Sequence, residues 1–417
     1  MNCFHPLKYA CWLMGCHPSY KTHQWLTGDA MSATTQQLLA RLVAFDTTSR
    51  LSNLDLIDWI ADYLSGFGIQ SRLTYSDDKR KANLFARIGP EDAPAVVLSG
   101  HTDVVPVEGQ AWETNPFTLT ELDGKLYGRG SCDMKGFIAS SLALVPEAVA
   151  LAQAGQLARP LGLALSFDEE VGCLGVRALI ADVLAEGIPI SGCIVGEPTD
   201  MKPVIAHKGI AHYRCRVIGK EAHSSLTPYG VNAIEYAARL ISQLRLLADT
   251  EAAFGHRNTL YDVPFTTLQT GLIKGGIAAN IVPRDCEFVF ECRWLPGDSP
   301  ERFLQLLFDH VETLRSEMRA VAPEADIVIE PLIHCPAFEA EPDSEVMRAA
   351  THLCGCHEGS GVAYSTEAGL FHEAGIPAVV CGPGSIQQAH KPNEFVEISQ
   401  LVACDNWLRN LLASLKK

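Results

Sequence analysis

Four short apolar runs, each broken off by acidic or histidine-bearing loops, constrain this 417-residue chain more than any other feature. Ala95-Val96-Val97-Leu98 runs into Ser99-Gly100-His101-Thr102-Asp103, and Leu161 to Phe167 ends in Asp168-Glu169-Glu170-Val171-Gly172. Cys193-Ile194-Val195 ends in Gly196-Glu197-Pro198-Thr199. Ala378-Val379-Val380-Cys381 ends in Gly382-Pro383-Gly384, with His390 beyond it. Short apolar runs bounded by glycine and polar residues read as buried strands. Parallel strands bring their carboxyl ends to one rim, where open α/β sheets place their ligands. Three successive acids at such an end are costly unless solvated, paired or bound to a cation.

A fifth polar cluster, Gly128-Arg129-Gly130-Ser131-Cys132-Asp133-Met134-Lys135-Gly136, precedes a helical pattern from Phe137 to about Ala150. Its glycines suggest tight turns holding a carboxylate at a helix start; the plainer alternative is an ordinary helix cap. The collected candidates are His101, Asp133, either Glu169 or Glu170, Glu197 and His390. Two imidazoles and three carboxylates suit two borderline divalent ions such as zinc, cobalt or manganese, whereas a structural zinc site favours thiolates.

The length predicts two domains. The formal charge of −16 disfavours a nucleic-acid partner, and no apolar run in the sequence reads as a membrane span. The fourteen cysteines are scattered with no C-x-x-C pair, which predicts free thiols in a reducing cytosol, so we expect a cytoplasmic protein. Residues 1–30 lack clean periodicity and a signal-peptide pattern, and we expect the fold to begin near Met31. Thr34 or Thr35 is placed to cap a helix carrying Leu38, Leu39, Leu42 and Val43, and Asn53 to cap a second carrying Leu56, Ile57, Ile60 and Leu64.

Between the ligand-bearing stretches, the pattern from roughly Ala206 to Glu324 reads strand, helix, strand, strand, helix, close to a ferredoxin-like unit. This insert carries none of the proposed ligands. It does carry Gly219-Lys220-Glu221-Ala222-His223-Ser224, a glycine-rich stretch with Asn280, and Arg293.

Taken together, Ser-Gly-His101-Thr-Asp103, Gly-Arg-Gly-Ser-Cys-Asp133-Met-Lys-Gly, Asp-Glu169-Glu170-Val-Gly, Gly-Glu197-Pro-Thr, Ala-His223-Ser and His390 resemble the M20 metallopeptidase family. Within it, Cys132-Asp133-Met134-Lys135-Gly136-Phe137 and Ser365-Thr366-Glu367-Ala368 are most similar to the acetylornithine deacetylase branch. The resemblance implies an α/β fold. A mixed-sheet, zinc-peptidase-like catalytic domain with helices on both faces would comprise 31–205 and 325–417. An inserted α+β ferredoxin-like dimerisation or lid domain would span 206–324, in a homodimer.

The same resemblance makes Asp133 a carboxylate bridging two divalent ions, zinc first among them. His101 and Glu197 complete one ion, Glu170 and His390 the other, and Glu169 is the general base. Asp103 acts on His101, and His223 reaches the partner subunit's site as an oxyanion stabiliser. Arg293 is a candidate fork for a substrate carboxylate, against an internal strand ion pair, and Asn280 a helper for that group. Glu367 is a candidate partner for a distal ammonium, against a structural loop carboxylate. The implied substrate is a small N-acyl amino acid, N2-acetyl-L-ornithine, hydrolysed in arginine biosynthesis. The alternatives are another acyl-amino-acid deacylase such as a succinyl-diaminopimelate desuccinylase, or a noncatalytic metal-binding homologue.

Overall fold

The computed structural model describes residues 34–355 and 359–417; the extension expected over 1–30 lies outside the described residues. The first described helix, Thr35–Val43, starts where a Thr34–Gln37 capping box satisfies its leading N–H groups, and it buries Leu38, Leu39, Leu42 and Val43. Asn53 stands at the N-cap of the helix Leu54–Ser65, but its side chain makes no cap. Instead it donates to Ala82 O and Thr102 Oγ1 and accepts from Ala82 N, clipping the helix start to the strand Ala82–Ile88 and to the loop after His101.

Among the described residues, a nine-stranded mixed sheet forms the centre of the part outside the insert. Its middle strands are Leu161–Ser166, Ala95–His101, Ile190–Val195 and Ala378–Val380, all parallel, and they are the four runs picked out from the sequence. Ala82–Ile88 pairs antiparallel outside them. Alternate side chains of a strand face opposite ways. Ala95 and Val97 pack with Val176, Leu179 and Phe371 from helices on one face. Gly100, of opposite parity, is approached by Met134 and by Ile138 of the helix Lys135–Gln153. Helices therefore cover both faces, as expected. Lys135–Gln153 is 19 residues long and apolar enough to cross a membrane by length and composition, which the sequence reading had not anticipated. It is a core helix here, with residues around most of its circumference buried.

The insert folds as strand Gly209–Ile218, helix Ala233–Phe254, strands Thr267–Gly275 and Asp285–Trp294, helix Pro300–Val321 and strand Asp326–Cys335. The first helix begins at Ala233, because Asn232 accepts from Ile234 N and Glu235 N and fixes the cap there. Phe288, Phe290, Tyr213 and Val217 of the sheet bury against Leu240, Leu244, Phe303 and Leu307 of the two helices. The last strand pairs with Gly209–Ile218, which carries the insert's sheet to Cys335, beyond the boundary of 324 expected from sequence. Apolar alternation breaks in this strand at a bulge between Pro331 and Ile333: Glu330, opposite Arg214, faces away from the helices, whereas His334, opposite Ala211, lies on their side.

Gly196 is the tightest point between the sheet and the helix Lys135–Gln153. Its N–H extends the ladder to Ser99 O, and a Cβ there would lie 2.0 Å from the Phe137 ring. Gly196→Ala should therefore destabilise the protein by about 1–3 kcal/mol, the usual cost of overpacking a core. Urea unfolding measures this; an unchanged midpoint would show that Phe137 has room to move.

Candidate metal centre

His101, Asp133, Glu169, Glu170, Glu197 and His390 meet at the carboxyl ends of the parallel strands. Asp133 lies between the two histidines. Its Oδ1 is 3.0 Å from His101 Nε2, and its Oδ2 is 3.4 Å from His390 Nε2. Glu197 Oε1 stands 3.7 Å from His101 Nε2, and Glu170 Oε2 stands 2.9 Å from His390 Nε2. One carboxylate thus lies between two histidine–glutamate pairs, His101 with Glu197 and His390 with Glu170. Donor atoms of His101, Asp133 and Glu170, and separately of His101, Glu169 and Glu197, lie within 4.8 Å of one another.

The three acids after Ser166 are sorted by a turn, not by strand alternation. Asp168, at φ +56°, pairs with Lys81. Asp103 then accepts from Glu169 N at 3.1 Å and Glu170 N at 3.3 Å, and from Ser49 Oγ at 2.7 Å. Its carboxylate fixes the backbone of the glutamate pair. The contact with His101 comes mainly from Asp103's own carbonyl, 2.9 Å from His101 Nδ1, with the carboxylate at 3.6 Å. That carbonyl accepts a hydrogen bond from Nδ1–H, which leaves Nε2 directed at Asp133 and Glu197, where it can donate or, once deprotonated, ligate a cation.

Sequence reasoning missed Glu394. It is 1% exposed and accepts from the backbone N–H of Gly130, Cys132 and Asp133 and from Arg129. It holds the turn that delivers Asp133. The only sequence signal was an acid four residues after His390, in Lys391-Pro392-Asn393-Glu394.

The electrostatics test whether cations fit. Burial and the neighbouring Asp133 charge raise the Glu170 carboxyl to about 7; burial with Asp133 raises Glu197, and burial with Glu197 raises Glu169. Hydrogen bonds to Asp133 and Glu170 push His390 up to about 10. Burial opposes charging His101, but its contacts with Asp103 and Asp133 outweigh that and raise it too. Protons are thus drawn to both histidines, into the spaces between carboxylates. Glu197 Oε1 is buried with no hydrogen-bond partner, a costly state that a cation relieves. Nitrogen and oxygen donors without thiolates suit two divalent ions, and the residues present fit them.

The remaining predicted residues divide. His223 is exposed, its ring bonded to Ser225, on the short strand Ala222–His223 that pairs with Ile281–Val282. That pairing sets it beside Asn280, also exposed. Neither makes a hydrogen bond to the cluster among the described residues. The Arg293 fork is already occupied by Glu291, through Nε at 3.0 Å and Nη2 at 3.2 Å, with Nη1 on Ala363 O. This is the ion-pair alternative. Glu367 is 1% exposed and accepts from the Ser99 and Ser166 hydroxyls beneath the centre. Contact with a substrate ammonium gives way here to the structural reading, since both oxygens turn inward to hydroxyls on adjacent strands.

Residues 97–414 match the model described as Peptidase family M20/M25/M40. The chain belongs to this family. It is 39% identical to an acetylornithine deacetylase of Myxococcus xanthus over 90% of this chain and 96% of that protein. It is 35% identical to an acetylornithine deacetylase of Proteus mirabilis, over 87% and 91%. An M20 family metallo-carboxypeptidase from Sulfolobus solfataricus shares the fold with a TM-score of 0.73 at 18% identity, over 92% of this chain and 99% of that one. A dinuclear metal binding peptidase of the family from Bacillus subtilis has a TM-score of 0.59 at 16% identity, over 91% and 98%. The chain is accordingly an M20 hydrolase of the N-acyl amino acid deacylase type.

A bridging role for Asp133 has a measurable consequence. Asp133→Ala should lose metal at both half-sites, whereas Glu170→Gln should lose it at one. Elemental analysis after dialysis against limiting zinc distinguishes them; wild-type content in Asp133→Ala would remove the bridge.

Proposed function

We propose that the protein hydrolyses N2-acetyl-L-ornithine to L-ornithine and acetate, a step of arginine biosynthesis, with zinc as the leading metal and cobalt or manganese as substitutes. The observation that carries the reading is the presentation of the two Asp133 oxygens to separate histidine–glutamate half-sites, in a chain whose curated relatives over most of its length are acetylornithine deacetylases.

Two divalent cations, when bound, supply polarisation of a scissile carbonyl and acidification of water at the site. His101, Asp133, Glu197, Glu170 and His390 would hold them. Glu169 is left to move the proton. It lies close to His101 and Glu197, yet its Oε1 accepts only the Cys173 thiol, at 3.4 Å. In this role it takes a proton from the attacking water and returns it to the departing amine. Its confinement in the turn held by Asp103 keeps the carboxylate at the rim.

His223 and Asn280 are assigned to the active site of a second copy in a homodimer. Their exposure and their distance in the fold from any cluster contact support this. So does the apolar edge beside them, where Leu272 is 68% and Ile277 85% exposed. His223 would there stabilise the developing oxyanion. A cytoplasmic location is the reading the free buried thiols support.

Metal-restored protein should prefer N2-acetyl-L-ornithine over N-acetyl-methionine and N-succinyl-diaminopimelate. Glu169→Gln should lower kcat by about 10²–10⁴-fold with metal content retained. Preference for another acyl substrate would replace the pathway but keep the chemistry; loss of metal from Glu169→Gln would make that residue a ligand. For His223, mixed dimers of His223→Ala with Asp133→Ala subunits should recover activity that neither parent has. Verified heterodimers that remain inactive would exclude catalysis across the interface.

A further inference from the structure

His390 differs from the other candidate ligands. Its side chain is 55% exposed, whereas those of His101, Asp133, Glu170 and Glu197 are 1–7% exposed. Its backbone lies in the left-handed region at φ +63°. Packing does not fix this imidazole, so its position depends on what holds its main chain.

The main chain is held by Gln110. Its Nε2 donates to His390 O at 2.9 Å. Its Oε1 accepts from Arg129 Nη2 at 2.5 Å and from Trp112 Nε1 at 3.1 Å. Both of those partners are donors only, so the amide oxygen must face them and the NH₂ must face the His390 carbonyl. Arg129 is itself immobilised. It is 1% exposed, bonded to Glu394 at 2.7 Å, and stacked 5.1 Å from the Trp112 ring. Glu394 in turn carries the N–H groups of Cys132 and Asp133. One relay therefore joins the backbone of the bridging carboxylate to the backbone of the exposed histidine. A glutamine suits its last position because an amide accepts at one end and donates at the other.

We propose that Gln110 is a positioning residue that holds His390 at the Glu170 half-site, with Arg129 setting the orientation of its amide. This rests on the two-cation reading of the centre. Glutamate at 110 keeps the acceptor for Arg129 and Trp112 but removes the donor to His390 O, and so separates the two functions.

The test is a cobalt(II) titration of metal-free protein, followed by calorimetry and by the visible absorption of the bound ion, with thermal unfolding as a check on folding. Gln110→Glu and Gln110→Leu should each weaken one of the two binding steps by about 10–100-fold, the usual effect of losing a group that orients a ligand. The other step should be unchanged. In a His390→Ala background, Gln110→Glu should produce no further loss, whereas a general structural role would still weaken binding there. Unchanged steps in the single variants, equal weakening of both steps, or a full additional loss in the His390→Ala background would each overturn the proposal. A wild type that binds fewer than two ions would instead overturn the dinuclear reading, and this proposal with it.

Discussion

Four carboxylates crowded at the end of a parallel sheet set the terms for the rest of the catalytic part. Asp133, Glu169, Glu170 and Glu197 are half-buried or buried, and only two histidines stand among them. Like charges at this spacing, away from water, cannot all remain ionised without a cation or a proton between them. The fold accepts that cost because surrounding groups fix each carboxylate from behind: Asp103 under the glutamate turn, Glu394 under the Asp133 turn, and the Val195–Gly196 backbone before Glu197. The repulsion that destabilises the empty cluster is also what gives it affinity for divalent ions.

The supporting acids are held differently from the acids they support. Asp103 and Glu394 are buried but fully hydrogen-bonded, largely to backbone N–H groups. Hydrogen bonds and the nearby His101 lower the Asp103 carboxyl against the opposing effect of burial. The centre's acids have fewer such donors. This contrast separates carboxylates that build the site from carboxylates that remain available for a cation or a proton. Glu367 belongs with the first group, anchored by Ser99 and Ser166.

The insert is built on another principle. Its sheet buries one face against two helices and covers the other with ion pairs such as Arg216–Glu330 and His212–Glu291. Arg293 lies on that second face and pairs there with Glu291, two residues before it on the same strand. The exposed Leu272, Ile273 and Ile277 lie at the open edge of the same sheet and beyond it, left largely uncovered by the described residues.

The strands, the acids and histidines that gather at their ends and the order of the insert's elements were legible in the sequence because each rests on local chemistry. Apolar runs of strand length stop at glycine, and their following acids and histidines have few inexpensive alternatives once the run is buried. Tertiary structure decided what depends on distant partners. It determined that Glu169 and Glu170 part in a turn gripped by Asp103, that Glu367 faces inward to two serines, and that Arg293 is already paired. It also placed Asp326–Cys335 beside Gly209–Ile218 and set Gln110 against the His390 carbonyl. Hydrogen bonds between residues 66 to 280 positions apart fix the groups around the centre, and no periodicity or spacing along one chain encodes them.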